Sequence, residues 1–435
     1  MNVAQAFSPR RNFRSLYVRS LNNYQPIDGL RAISIILVVL FHAFIFAHYF
    51  FPETAYLNLI NDTSIEWRWM WNGDKGVDIF FVISGFLIAS LLFKEYDQFQ
   101  TLRLSTFFGN RFLRLFPAYA VAITLYAVMG GNNPENIWAN LLYINNFLPM
   151  SEMFMPWSWS LAVEEQFYVL LPLFLIAVFF KTEHKLACLV SLFLLSFVIR
   201  AIVLYSDTLL SQSHYYQLYL DRDMFNHGFS VFYDNLYTRY GNFVVGITVA
   251  YVYRYHNQRV SSWFKRKELP FLITILALIF IGVTLFSTMY SPKTESALLF
   301  KNLYMICIRN LFGLAIGWII LACLFPTGIG KLINRLLSSK IWYPIAQLSY
   351  SIYLFHLMVL PLVMLNFKAN LEFIGIEYVD SPAGWLAFCS VFIFLLSIII
   401  AIFSYVLIER PFMNLRRVKK STTNHHHQIK HQPAS

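Results

Sequence analysis

The sequence is short of charge. Asp, Glu, Lys and Arg make up 13% of its 435 residues, against roughly 25% in an average soluble chain. So few charges do not clothe a water-soluble fold of this size, which excludes a soluble enzyme, a secreted domain and a disordered chain. Cysteine is scarce too. Cys188, Cys307, Cys323 and Cys389 all fall inside apolar runs. They have neither the pairing of a disulfide framework nor the spacing of a metal site, so they read as small core residues and no metal is expected. No Gly/Ser-rich linker divides the chain, and no internal repeat is evident.

What the chain has instead is apolar bulk, 57% hydrophobic and 18% aromatic, with a mean hydropathy of +0.53. It is blocked into runs of about twenty residues, the length that crosses ~30 Å of hydrocarbon. Ten segments stand out: 32–51, 77–93, 115–130, 161–180, 186–205, 242–255, 269–289, 303–325, 342–367 and 384–408. They lack the alternation of a barrel strand, and helices satisfy every backbone group inside lipid. The expected fold is all-α: a polytopic membrane protein of about ten transmembrane helices. The first run lies behind a basic segment and others follow it, so a cleaved signal peptide is not expected.

Loop charge sets the orientation. With the N-terminus inside, 25 of the 34 Lys and Arg fall on the cytoplasmic side and 7 outside, while 15 of the 23 acidic residues fall outside. Both termini are therefore expected in the cytoplasm, and the net charge of +11 reads as topology rather than as a nucleic-acid surface. The expected organisation is a basic segment 1–31, a membrane domain 32–412 and a basic, disordered tail 413–435 that holds His425–His427.

Ionisable groups within spans are costly and mark cavities or pathways. In the first span, Arg31 and His42 are eleven steps apart, a rise of ~16 Å, and point to one side of the helix. A snorkelling arginine and a histidine bonded to a neighbouring helix fit that spacing equally well. The second span opens on Gly76-Val77-Asp78, where Asp78 also suits a helix start. Ser84 and Gly85 further along permit a close helix crossing. Arg111 and Arg114, one turn apart at the inner surface, suit a phosphate-bearing ligand or anionic lipid. Trp157-Ser158-Trp159-Ser160 leads into the fourth span, where Ser160, Glu164 and Tyr168 recur every four residues on one face. In the ninth span, Ser349, Tyr353 and His356 form a stripe. Arg31, Arg111 and Arg114 are expected to gather at the cytoplasmic side. His42, Asp78, Glu164 and His356 are expected from mid-membrane outward, where a histidine oriented by a carboxylate acts as a general base or relays protons in a transporter. Between the fifth and sixth spans, tyrosines from Tyr205 to Tyr240 are interleaved with Asp221, Asp223, Asp234, Arg222 and Arg239. They suit a sugar ring as well as an interfacial belt.

These residues resemble the acyltransferase-3 family of membrane O-acyltransferases. The resemblance runs in order through Arg31-x10-His42, Gly76-Val77-Asp78-Ile79-Phe80-Phe81-Val82-Ile83-Ser84-Gly85-Phe86-Leu87, Arg111-Phe112-Leu113-Arg114-Leu115-Phe116-Pro117, Trp159-Ser160-Leu161-x-x-Glu164-x-x-Phe167-Tyr168, Ser349-Tyr350-Ser351-Ile352-Tyr353-Leu354-x-His356 and Ile408-Glu409-Arg410-Pro411-Phe412. It covers nearly the whole chain. It implies transfer of an acyl group, most often acetyl, from cytoplasmic acyl-CoA to a hydroxyl of a surface glycan at the bacterial inner membrane. Lipopolysaccharide O-antigen or its lipid-linked precursor is the expected acceptor, with acetyl-CoA as co-substrate and no bound cofactor. The resemblance gives His42 the base or acyl-handling role, supported by Asp78 and Glu164. Arg31, Arg111 and Arg114 serve the donor, and Trp159, Ser160, Tyr168, Ser349, Tyr353, His356 and Arg239 are acceptor or supporting candidates. Some members fuse a hydrolase-like domain after the last span; here the membrane domain alone is expected. Homo-oligomerisation stays open. The runner-up is a secondary transporter with a His/Glu proton relay, which the absence of repeated halves disfavours; a non-catalytic scaffold leaves the buried His and Glu unexplained.

Overall fold

The structure, a computed structural model, describes residues 3–19, 24–287, 297–373 and 382–416. Ten long helices, numbered here in chain order, carry the fold: α1 (Gln25–Phe46), α2 (Lys75–Phe99), α3 (Leu104–Val128), α4 (Trp159–Phe174), α5 (Lys185–Ser206), α6 (Leu236–Tyr255), α7 (Glu268–Leu285), α8 (Leu298–Leu324), α9 (Trp342–Phe373) and α10 (Pro382–Ser404). No β-strand occurs among the described residues, and the chain is an all-α polytopic membrane protein. Among the described residues nine helices are long and apolar enough to cross a bilayer. The tenth, α6, is the exception because it carries Thr238, Arg239 and Asn242, all buried. It is surrounded by protein rather than lipid, and there polar side chains meet partners instead of hydrocarbon.

The close packing expected at Gly85 is realised against α6. A Cβ at Gly85 would stand 2.3 Å from the Phe243 carbonyl, and one at Gly246 would stand 2.2 Å from that of Val82. Backbone therefore lies on backbone at this crossing, the use of small residues that membrane helices favour. Phe81 and Phe243 stack beside it, with centroids 4.5 Å apart. At the periphery, α5, α7 and α10 turn Leu194, Ile202, Leu272, Ile279, Val391 and Phe403 outward, as lipid requires.

The first and last described segments meet at one end of the bundle. A short helix, Pro9–Arg14, sends Asn12 Nδ2 to the Val406 carbonyl at 3.2 Å, and Asn414 Nδ2 donates to Asn12 Oδ1 at 3.0 Å. This end is the terminal side; the other is the far side. The first helix begins at Gln25, which sets Arg31 in its second turn. Residues 413–416 continue a helix, while 417–435, with the histidine run, lie outside the described residues.

Candidate active site

The helix α1 presents His42 and Arg31 to α9, at two levels. His42 Nδ1 lies 2.9 Å from the Val38 carbonyl and 3.0 Å from His356 Nε2; His356 Nδ1 lies 2.8 Å from the Tyr353 carbonyl. Carbonyls only accept, so each Nδ1 carries hydrogen, and the one hydrogen on His42 Nδ1 is shared between the Val38 carbonyl and His356 Nε2, which accepts. The chain of bonds leaves His42 Nε2 with a free lone pair. Eleven residues earlier, Arg31 Nη2 donates to Ser349 Oγ at 3.0 Å. The stripe expected on α9 is therefore used at each position, since Tyr353 OH also bonds Ser160 Oγ at 2.7 Å and the Trp157 carbonyl.

Two candidates stand apart from the expected histidine–carboxylate cluster. Glu164 accepts from Ser84 Oγ at 2.5 Å and lies within electrostatic reach of Arg111, Arg114 and Arg31. It belongs to the arginine level because one turn along α4 from Ser160 carries it ~6 Å toward the terminal side. Tyr168, a turn further, has Arg111 over its ring at 5.3 Å. Asp78 faces α6 and α8 instead, accepting from Asn242 Nδ2 at 2.6 Å and from Arg309 Nη1 at 2.7 Å. Ser84 and Asp78 are six residues apart on α2, hence ~120° apart around the helix, so they serve different neighbours. His42 finds its orienting partner in a second histidine.

Beside His42 a cavity of about 1100 Å³ opens among the far-side loops, with Trp157, Trp159, Tyr233, Tyr353, Asp74, Arg200 and Arg309 among its lining residues. An aromatic lining with a few placed polar groups is what a ligand site offers. Sequence reasoning assigned no role to Arg200, Arg309, Asp74 or Glu409. Arg200 and Arg309 fall inside the apolar segments 186–205 and 303–325, which is the signal the sequence held for them. Glu409 sits in a motif, bonds Ser351 Oγ, and lies within reach of Arg31.

The acyltransferase-3 profile, described as an acyltransferase domain, matches residues 24–404. The chain belongs to this family. It is 26% identical over 445 residues to the "Putative O-acetyltransferase SAS0844" of Staphylococcus aureus (strain MSSA476), covering 95% of this chain and 59% of that protein. The peptidoglycan O-acetyltransferase OatA of Listeria monocytogenes is 28% identical over 378 residues, 79% of this chain and 50% of the relative. "Nose resistant to fluoxetine protein 6" of Caenorhabditis elegans is 28% identical over 338 residues, 67% and 39% respectively. The chain thus spans 59% or less of the length of these relatives. No solved structure matches. The family supports an enzyme of the acyltransferase class in a multi-pass membrane fold.

Proposed function

We propose that this chain moves an acetyl group from acetyl-CoA on the cytoplasmic side to a hydroxyl of a bacterial surface glycan, across the inner membrane. The observation that carries the reading is the free Nε2 of His42 beside a large cavity, with guanidinium groups at the opposite level. Arg31, Arg111 and Arg114 receive the phosphates of the donor, which arginine grips bidentately. The acceptor hydroxyl enters from the far side. His42 Nε2 takes its proton as the oxygen attacks the thioester carbon. The carbon–sulfur bond breaks, and the proton passes on to the leaving CoA thiolate. General-base assistance of this kind contributes roughly 10²–10⁴-fold. Lipopolysaccharide O-antigen or its lipid-linked precursor is the acceptor we favour, and peptidoglycan is the acceptor named for the Listeria relative.

Protein purified in lipid and given acetyl-CoA with surface glycan should release free CoA, measured with a thiol reagent. His42→Ala should abolish the release, and Arg111→Gln should raise the KM for acetyl-CoA. Full turnover in His42→Ala would overturn the mechanism. Counterflow of a labelled solute without CoA consumption would replace the enzyme with a transporter.

A further inference from the structure

Along the cavity, on the far side, lies a charge cluster that the proposed reaction does not use. Lys75 Nζ pairs with Asp74 Oδ1 at 2.8 Å. Arg309 spans Asp74 Oδ2 at 2.5 Å and Asp78 Oδ2 at 2.7 Å. Arg239 Nη2 reaches Asp78 Oδ1 only at 3.3 Å, and none of its three nitrogens makes a hydrogen bond. Arg200 has no carboxylate partner in this cluster; it donates to the carbonyls of Ile306, Thr238 and Met305 at 2.9, 2.6 and 2.5 Å. All six residues are buried, at 0–7% exposure.

The charges do not balance. Four cations face two carboxylates. A further acid, Asp234, lies within electrostatic reach of Arg239 just before α6. Burial pushes its carboxyl up to about 9, so near neutral pH it keeps its proton and adds no counter-charge. Aromatic faces take part of the strain: Arg239 lies 5.2 Å from the Trp159 ring and 4.9 Å from that of Tyr233, and Arg309 lies 4.6 Å from Tyr233. Cation–π contacts of this kind offset only part of what an unpaired buried charge costs. Arg309 and Arg200 both line the cavity that holds His42. A guanidinium has five donors; Arg309 spends two on the carboxylates and Arg200 three on carbonyls.

We infer that the far-side cavity is an anion site, and that the acceptor glycan carries a phosphate or carboxylate which docks against Arg200 and Arg309. The anion supplies the counter-charge that the protein withholds. Docked there, it also tethers the glycan beside His42, so the site selects acidic or phosphorylated acceptors over neutral ones. The two sources share one chemistry: the diphosphate of a lipid-linked glycan and the carboxylate of an acidic sugar. The inference rests on the acetyltransferase reading only for the identity of the ligand as acceptor, because its test needs no turnover.

The full chain in neutral phosphatidylcholine nanodiscs is unfolded thermally, followed by tryptophan fluorescence. The probes are inorganic phosphate, pyrophosphate, glucuronate and uncharged glucose, with sodium chloride holding ionic strength constant. A ligand that binds the folded state raises the midpoint in proportion to its occupancy. The anions are expected to raise the melting temperature and glucose to leave it in place. A shift with pyrophosphate alone identifies the phosphate source, and one with glucuronate the acidic sugar. Arg239→Met and Met305→Glu each remove one unit of surplus charge. Both should melt higher than the parent protein in chloride alone and bind the anions roughly tenfold more weakly, a difference of ~1.4 kcal/mol. A misfolded variant does not imitate that gain in stability. Arg111→Gln, at the opposite level, removes only a donor-side contribution and should keep the part of the anion response that Arg239→Met and Met305→Glu lose. The inference is overturned if no anion shifts the parent protein, if glucose matches the anions, or if Arg111→Gln abolishes the shift. CoA release with no anion response would leave the acetyltransferase reading standing and remove this one.

Discussion

A neutral imidazole is a base at one nitrogen and a donor at the other, and its neighbours choose which. Here the choice is made by two backbone carbonyls and a second ring. The Tyr353 carbonyl fixes hydrogen on Nδ1 of His356, so Nε2 of that ring accepts from His42. His356 is thus a positioning residue for the proposed base. Gln offers a carbonyl oxygen near the place of the lost Nε2, and Ala offers none. We therefore expect His356→Ala to lower kcat roughly 10- to 100-fold, by analogy with the loss when outer-shell partners of metal-binding histidines are removed, with the KM for acetyl-CoA unchanged. His356→Gln should recover part of that loss. Equal activity of His356→Ala and the parent protein would show that Val38 alone holds the ring. The pairing of Arg31 and His42 on one face was legible from their spacing, and so was the stripe on α9. That the partner of His42 is a histidine rather than Asp78 or Glu164 was not, because helix periodicity gives the face of each residue but not which neighbouring helix meets it.

At the scale of the element, α2 and α6 form the most intimate pair. The small residues Ser84 and Gly85 marked a place of close approach, but α6 was legible only in part. Its apolar stretch was read from residue 242, whereas the helix starts at Leu236. Arg239 looked like a loop charge because hydropathy measures compatibility with lipid, and this turn meets Asp78, Trp159 and Tyr233 instead. For the same reason Arg200 and Arg309 stood out in the sequence but showed no purpose. Their partners come from helices far away in the chain. The crossing makes a direct prediction. A methyl group at Gly246 must displace the Val82 carbonyl 2.2 Å away, and backbone gives way less readily than a side chain. Gly246→Ala should destabilise the fold by about 1–3 kcal/mol, the usual cost of overpacking, read as a lower melting temperature in nanodiscs. Gly282, where an added Cβ meets nothing within 4 Å, is the control: Gly282→Ala should melt at or above the parent temperature.

At the scale of the whole molecule, function depends on which side of the membrane each level faces. The contacts of Asn12 with Val406 and Asn414 bring the first and last described segments together, and the distribution of Lys and Arg predicts that this end is cytoplasmic. In that predicted orientation Arg31, Arg111 and Arg114 would meet the proposed donor, acetyl-CoA, and the cationic cavity would face outward. The orientation can be read with single cysteines in a background freed of Cys188, Cys307, Cys323 and Cys389. Glu135 and Lys267 are both exposed. They lie in the loops after α3 and before α7, on opposite sides of the bundle. In intact cells an impermeant maleimide should label Glu135→Cys and spare Lys267→Cys until the membrane is opened. The reverse pattern would turn the molecule over. The cavity would then face the donor pool, and its surplus positive charge would be a second claimant for the phosphates of CoA, leaving Arg31, Arg111 and Arg114 without a ligand. With the expected pattern, the two sets of cations are separated by the bilayer, one for the phosphates of the donor and one for an anionic acceptor, and His42 lies on the path between them.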